Sequence, residues 1–390
     1  MEPETTCTSN DTPEKGKLYM AMELSQKEWK LGFSVGPGQA PRLRSVPGRD
    51  LGGLITEIQL ARERFRLGKD VEVASCYEAG RDGFWLHRFL EKQGVRNLVV
   101  DSASIEVSRR FRRVKTDRMD TGRLLGMLTP ALAAGASVRY HFGERKVWSV
   151  VHVPSVKAED ERQLHREMMA LKKERTRHIN RIKGLLVSQG VVLEVDAGFM
   201  EAMETVRLWN GSPLCGRLRM RLEREHERMG LLGRQIGQLE KERDEVICTS
   251  QEESIEQVRR LLQLKGIGVN SAWLYVMEFF AWRRFCNRRQ VGALAGLTPT
   301  PYQSGESSRE RGISKAGNRP VCGMAIEIAW SWLRYQPESA LSCWYNRRFA
   351  EGSSRVRRIG IVALARKLLI ELWKYLETGV VPEGAYLKSS

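Results

Sequence analysis

K-L-Y-M-A-M-E-L-S-Q-K-E-W-K-L-G-F-S-V, residues 17–35, decides how the first part of this chain folds. Leu18 to Leu24 is an apolar run too short for a buried helix, and Trp29, Leu31, Phe33 and Val35 then recur at every second position. That period of two belongs to strands, and Gly36-Pro37-Gly38 supplies the next turn, so the stretch predicts a strand meander. Outward from it the periodicity changes. Asp50 to Leu67 carries apolar residues at helical spacing, Val71 to Cys76 reads as a buried strand, and Phe84 to Leu90 suits a helix. Asn97 to Val100 is another strand and Asp117 to Leu128 a further helix. Strands followed by strand and helix units predict an α/β domain over residues 17–155. Residues 1–16 are rich in Thr, Ser, Glu and Pro and read as a disordered tail.

Beyond Ala158 the composition shifts to Glu, Lys, Arg and Leu. One amphipathic helix carries Leu164, Met168, Leu171, Ile179, Ile182 and Leu185; a second steps by three and four through Leu218, Leu222, Met229, Leu232, Ile236, Leu239 and Val246. That spacing is a coiled-coil seam, interrupted by Glu225 and Arg243, and it predicts a coiled-coil region over 156–250, as an antiparallel hairpin or an oligomer contact. Residues 251–390 read as a third, mostly helical module that ends in an amphipathic helix bearing Ile361, Ala365, Leu368, Leu372 and Leu376.

Of 390 residues, 64 are Lys or Arg and 47 Asp or Glu, a net charge of +17 that favours a polyanionic partner, nucleic acid before membrane. No apolar run approaches the roughly 20 residues that span a bilayer, so a soluble, cytoplasmic protein with no membrane partner is expected. Seven widely spaced cysteines contain no C-x-x-C, and the six histidines no H-E-x-x-H, which leaves a hard, oxygen-ligated ion as the expected metal.

Four carboxylates fit that expectation. Glu23 closes the first strand, Glu78 follows the strand Val71 to Cys76, and Asp117 and Asp120 stand three apart, on one helical face. Brought together they repel unless cations sit among them, and a pair of magnesium ions is the usual answer in phosphoryl chemistry. Asp101, at the end of another strand, competes for the fourth place. Singly, each is more often a solvated surface charge.

Three further segments carry candidate chemistry. Leu261 to Trp273 places Lys265-Gly266-Ile267-Gly268 between two helices, like a helix-hairpin-helix whose backbone N–H groups approach a phosphate, though Gly-capped helix turns look the same. Gly296 to Asn318 is held out of helix by prolines and glycines, with Ser304 before Gly305 and with Arg309, Arg311, Lys315 and Arg319 as a phosphate track. A serine there is usually a turn residue, and no histidine lies near as a base. Trp330, Trp332, Tyr335, Trp344 and Tyr345, interleaved with Arg334, Arg347 and Arg348, either pack in a core or stack on bases.

The order of these motifs resembles the DEDD transposases of the insertion sequence 110 family, the bridge-RNA-guided recombinases, over nearly the whole chain. The resemblance rests on Glu23-Leu24-Ser25, Glu78-Ala79-Gly80, the run Lys115 to Asp120, Gly266-Ile267-Gly268, and Gly296-Leu297-Thr298-Pro299 through Ser304-Gly305 to Gly312–Asn318. It implies a RuvC-like, RNase H-type first domain whose quartet Glu23, Glu78, Asp117 and Asp120 binds magnesium, a coiled-coil connection, and a transposase domain with Ser304 as nucleophile. It further implies donor and target double-stranded DNA, a guide RNA, a homo-oligomer built as a dimer of dimers, and a place at the bacterial nucleoid. Two departures stand out: the family's first position is typically Asp where this chain has Glu23, and Gln303-Ser304 stands where many relatives have two serines. Rival readings are a RuvC-like endonuclease that hydrolyses branched DNA, and a non-catalytic coiled-coil nucleic-acid scaffold.

Overall fold

The computed structural model describes residues 16–36, 41–81, 83–102, 122, 124–128, 139–142, 145–304, 307–313 and 317–388. Two compact units meet in sequence at Val153 and Pro154, and each is a body with its own core.

The first unit is a mixed α/β layer. Strands β1 (Leu18–Leu24), β2 (Glu28–Ser34) and β3 (Arg42–Pro47) form the meander, then α1 (Leu51–Arg64), β4 (Val73–Glu78), α2 (Trp85–Lys92) and β5 (Val95–Val100) follow. The sheet order is β3-β2-β1-β4-β5. β1, β2 and β3 pair antiparallel, whereas β4 runs parallel to both β1 and β5. The two crossovers carry the helices, as parallel pairing requires. Alternation then sorts the side chains: Leu18, Met20, Met22, Trp29, Leu31 and Phe33 pack with Leu54, Ile58, Leu86 and Leu90 on one face. Tyr19, Ala21, Ala74, Cys76, Leu98 and Val100 lie on the other, under Leu124, Leu125, Met127 and Leu128.

Strand β3 has no apolar alternation, since Arg42 and Arg44 interrupt it, and it was not foreseen. It lies at the sheet edge, where one exposed face is tolerated; Arg42 and Arg44 both reach Glu57 of α1. Strands β6 (Arg139–Phe142) and β7 (Arg145–Ser149), a separate antiparallel pair, are also additional to the expected elements.

The second unit begins with the short α3 (Val156–Asp160) and the helical hairpin of α4 (Gln163–Val187) and α6 (Gly216–Thr249). The helices run antiparallel: Arg243 contacts Met168, Lys172 pairs with Glu240, and Arg181 with Glu225. Of the two expected roles for the seam, the intramolecular hairpin is the one seen. Its closed end, including α5 (Phe199–Thr205), has a small core of its own around Ile182, Leu186, Phe199, Met203 and Leu222. Glu225 is buried in the seam yet fully paired, to His178 Nδ1 at 2.5 Å and to Arg181 and Arg228. Burial opposes its charge, but the His178 hydrogen bond and the Arg181 guanidinium outweigh that and hold the carboxyl below its ordinary range.

The remaining helices close a single core: α7 (Glu253–Gln263), α8 (Val269–Tyr275) continuing as one π-helical turn Val276–Phe280, α9 (Arg288–Leu294), α10 (Arg319–Tyr335), α11 (Ala340–Phe349) and α12 (Ser354–Thr378). Glu278 in the π turn accepts two bonds from Arg166, at 2.5 and 2.9 Å, and so ties the hairpin's open end to that core.

Beside this tie His165 is 2 % exposed, and neither ring nitrogen has a hydrogen-bond partner. Burial lowers its imidazole to about 4, against the pull of Glu278. Because the folded value lies below the ordinary 6.5, the stability from a neutral His165 is complete above pH 6.5 and is lost as pH falls from 6.5 towards 4. The unfolding free energy therefore declines across that window, by at most about 1.4 kcal/mol per pH unit from this one group. In His165→Phe the same window flattens, as chemical denaturation at stepped pH will register.

Candidate active site

Parallel pairing of β1 with β4 sets Met22 opposite Tyr77, so Glu23 and Glu78 occupy the next position at neighbouring carboxyl ends. Alternation puts both on the face of Tyr19, Ala21, Ala74 and Cys76, opposite the Met20 and Met22 face. The same count, continued one residue past β5, assigns Asp101 to the opposite face, because Val99 belongs with Met22 and Val100 with Ala21. Glu78 is the last residue of its strand, not a residue past it.

The two glutamates line one open cleft of about 410 Å³, with Ser25, Gln26, Gly80 and Arg81. Its floor is fixed by the backbone: Ala79 N donates to Val100 O at 2.7 Å, Ser102 Oγ to Ala79 O at 2.8 Å, and Tyr77 Oη to Gly83 O at 3.1 Å. Glu23 is half-buried and Glu78 exposed. Two like charges at adjacent strand ends favour a cation between them, and a set of carboxylate oxygens suits magnesium. Asp117 and Asp120 lie outside the described residues; in the chain Asp120 precedes by four positions Leu124, whose carbonyl lies 3.9 Å from Cys76 Sγ on this same sheet face. Among the described residues no three His, Cys, Asp or Glu side chains gather as a metal site. Gln26 and Arg81 were not singled out from the sequence, and Ser25 entered only within the Glu23-Leu24-Ser25 motif; the one available signal is their place just beyond strand ends.

The segment around Ser304, expected as a loop, is an antiparallel ribbon of β8 (Pro299–Ser304) and β9 (Ser307–Ile313). Two strands suffice for a ribbon, and Pro299 and Pro301 are tolerated because every strand in it is an edge. Ser304 pairs with Ser307 in the last register position, so it stands at the ribbon's far end; Arg309 is opposite Tyr302 and Arg311 opposite Thr300. Lys315 lies outside the described residues, and Arg319 is the exposed first residue of α10, whose N-cap Asn318 accepts from Val321 N.

At the ribbon's base the chain crosses itself at Gly317 and Gly296. A Cβ on Gly317 would lie 2.1 Å from Gly296 N, and Asn318 N donates to Leu294 O at 3.0 Å across the crossing. Only hydrogen fits there, so both strands leave one fixed point.

The Lys265–Gly268 turn does sit between two helices, α7 and α8. Its backbone is largely engaged inside the fold. Lys265 N donates to Tyr386 O, Gly266 O accepts from Ser331 Oγ at 2.9 Å, Ile267 O accepts from Lys388 Nζ, and Gly268 N donates to Ser271 Oγ. Of the aromatic set, Trp332 and Tyr345 are core, with Trp332 Nε1 donating to Ser339 Oγ, whereas Trp330 and Tyr335 are half exposed.

Comparison with known proteins follows the same segments. Residues 258–344 match the family described as Transposase IS116/IS110/IS902, a stretch that includes the Lys265–Gly268 turn, the ribbon and α10. Over 392 aligned residues the chain is 41% identical to the putative transposase y4rJ of Sinorhizobium fredii, covering 96% of this chain and 95% of that one. It is 28% identical over 238 residues to the transposase for insertion sequence element IS1328 of Yersinia enterocolitica, covering 59% of this chain and 68% of the relative. A probable family 20 transposase of Pseudomonas aeruginosa is 27% identical over 234 residues, 58% of this chain and 67% of that one.

The crossing is testable by overpacking. Gly317→Ala should cost about 1–3 kcal/mol or more in denaturant unfolding. Gly323→Ala, in α10 where an added Cβ meets nothing within 4 Å, should leave stability unchanged or slightly raised.

Proposed function

Because the chain belongs to the IS116/IS110/IS902 family of transposases, we propose that it cleaves and rejoins DNA by a serine nucleophile, Ser304, acting with a magnesium site of Glu23, Glu78, Asp117 and Asp120. The observation that carries this reading is the placement of Glu23 and Glu78 on one face, at adjacent parallel strand ends, in one cleft. A mixed five-stranded sheet whose first three strands are an antiparallel meander and whose last two are reached through helices supports an RNase H-type domain. Glu23, with one more methylene than Asp, would still offer carboxylate oxygens to a cation held in the cleft.

When bound, magnesium supplies Lewis-acid polarisation of the scissile phosphate and makes a nearby hydroxyl more acidic, which answers the lack of a histidine base at Ser304. Ser304 Oγ passes its proton to water and forms a bond to phosphorus, while one P–O bond of the DNA backbone breaks and the leaving oxygen takes up a proton from water to become a strand hydroxyl. One phosphoester replaces another. The reverse attack by a different strand's hydroxyl restores serine and joins DNA with no outside energy source. The carboxylates and Ser304 are more than 180 residues apart, in different compact units, so the site is composite, and the family resemblance suggests that they come from different protomers of an assembly of four on DNA.

In this account Arg309, Arg311, Lys315 and Arg319 hold backbone phosphates; Arg309 and Arg311 lie on the strand that pairs with the Ser304 strand, opposite Tyr302 and Thr300, which supports it, whereas the backbone of the Lys265–Gly268 turn is taken up inside the fold. Target and donor sequences are read by base pairing with a guide RNA, since phosphate contacts carry no sequence information.

Covalent trapping tests the reading. Ser304→Ala and Glu78→Gln should each lose the denaturation-resistant protein–DNA adduct, and chelation of magnesium should abolish it in the parent chain. A mixture of Asp117→Asn and Ser304→Ala chains should regain part of it. An adduct from Ser304→Ala, or free cleaved ends with no adduct at any stage, would replace this reading with hydrolysis by a metal-bound water.

A further inference from the structure

The C-terminal helices carry a cationic surface that the proposed chemistry does not use, and it lies largely beyond the segment matched to the family. From Ala340 to Ile370 the sequence holds Arg347, Arg348, Arg355, Arg357, Arg358, Arg366 and Lys367 against one acid, Glu351. Among the described residues none of the seven cations joins an ion pair, although ion pairs are plentiful elsewhere in this unit, as at Lys183–Glu194, Arg219–Glu204 and Lys374–Glu371.

The packing draws these cations onto two adjoining helices. Gly360 of α12 lies under the Phe349 ring of α11, so close that a Cβ would come within 2.5 Å of it. Trp344 of α11 is flanked by two cations, Arg348 at 5.9 Å and Lys367 of α12 at 4.7 Å from the ring centre. Tyr345 Oη donates to Arg357 O at 3.4 Å. Beyond this contact the first turn and a half of α12, Ser354 to Ile359, stands clear of the core with every residue exposed, whereas Gly360, Ile361, Leu364, Ala365, Leu368 and Leu369 are buried. Three arginines on that overhang work against the helix's own stability, because the first turn of a helix favours acids and disfavours cations. Unpaired like charges, costly to the fold where they stand, call for a polyanion.

We infer that the exposed start of α12 and the adjoining end of α11, through Arg347, Arg348, Arg355 and Arg358, grip the phosphate backbone of duplex DNA outside the reacting site. Duplex DNA is the occupant selected by family membership and by charge density: it carries one charge per about 1.7 Å, and Arg355 and Arg358, three residues apart, share one side of their helix. The grip is independent of sequence, since phosphate contacts position a protein without reading bases. The inference rests on the chain being a DNA transposase and not on Ser304 chemistry, so binding, not cleavage, is the readout.

Full-length protein is titrated by fluorescence anisotropy against a labelled duplex of arbitrary sequence, and separately against a structured RNA, over a potassium chloride series. In Arg347→Gln/Arg355→Gln/Arg358→Gln, duplex affinity should fall by about tenfold or more, and the slope of log affinity on log salt should become shallower by about 2.7, near 0.9 per cation removed. Arg355→Lys/Arg358→Lys should keep the parent slope, which separates charge from fold. Lys183→Gln/Arg219→Gln/Lys374→Gln removes three ion-paired cations and should leave the slope nearly unchanged. The inference fails if the first variant binds duplex like the parent, if the ion-paired control loses as much, or if only RNA binding drops. An adduct defect in Ser304→Ala with the salt slope intact would bear on the catalytic reading alone.

Discussion

The parallel pairing of β1 with β4 is the constraint on which the first unit's chemistry depends. Once Met22 is opposite Tyr77, a slip by one residue would turn every side chain of the strand to the other face, and the buried Trp29, Met20 and Met22 forbid that. The register that buries the core therefore also fixes Glu23 and Glu78 side by side at the sheet's carboxyl edge. No separate device is needed to gather the first two carboxylates; the hydrophobic effect does so by holding the strands. What remains is their mutual repulsion, a cost that a bound cation removes.

The second unit solves a different problem, that of presenting a serine away from any core. A two-stranded ribbon is marginal alone. Here it issues from the Gly296–Gly317 crossing, which is tied by Asn318 N to Leu294 O and leads directly into the capped start of α10. The crossing fixes the base from which both strands of the ribbon start. The long hairpin of α4 and α6 is anchored similarly: Arg166 and Glu278 clamp its open end, and the buried Glu225 of α6 fixes its register through two partners on α4, His178 and Arg181.

How much of this was legible in sequence follows from the physics of each element. The alternation at Trp29, Leu31 and Phe33 announced a half-buried strand, and the three-and-four spacing from Leu218 to Val246 announced a helix seam, because in both the period is imposed by the surface being buried. Strand β3 was illegible: an edge strand with Arg42 and Arg44 gains nothing from alternation. The ribbon around Ser304 was hidden for a related reason, since its prolines, glycines and charges fit a loop equally well and its pairing is local. Glu23 and Glu78 could be named as strand-end carboxylates, but their common face required the β1–β4 register, which no local pattern contains. Asp117 and Asp120 rest on sequence order alone. The Lys265–Gly268 turn was placed correctly between helices, but its engagement with Ser331, Tyr386 and Lys388 comes from residues more than 60 positions away and has no local signature.

In the proposed reaction one serine side chain, Ser304, carries the DNA strand during exchange. Mass spectrometric mapping of the residue left bearing a nucleotide after digestion of the magnesium-dependent adduct addresses that claim most directly. A phosphodiester remnant on the peptide containing Ser304, and on no other, is the predicted result. A remnant on any other residue, or cleaved and rejoined DNA with no modified peptide, would contradict it.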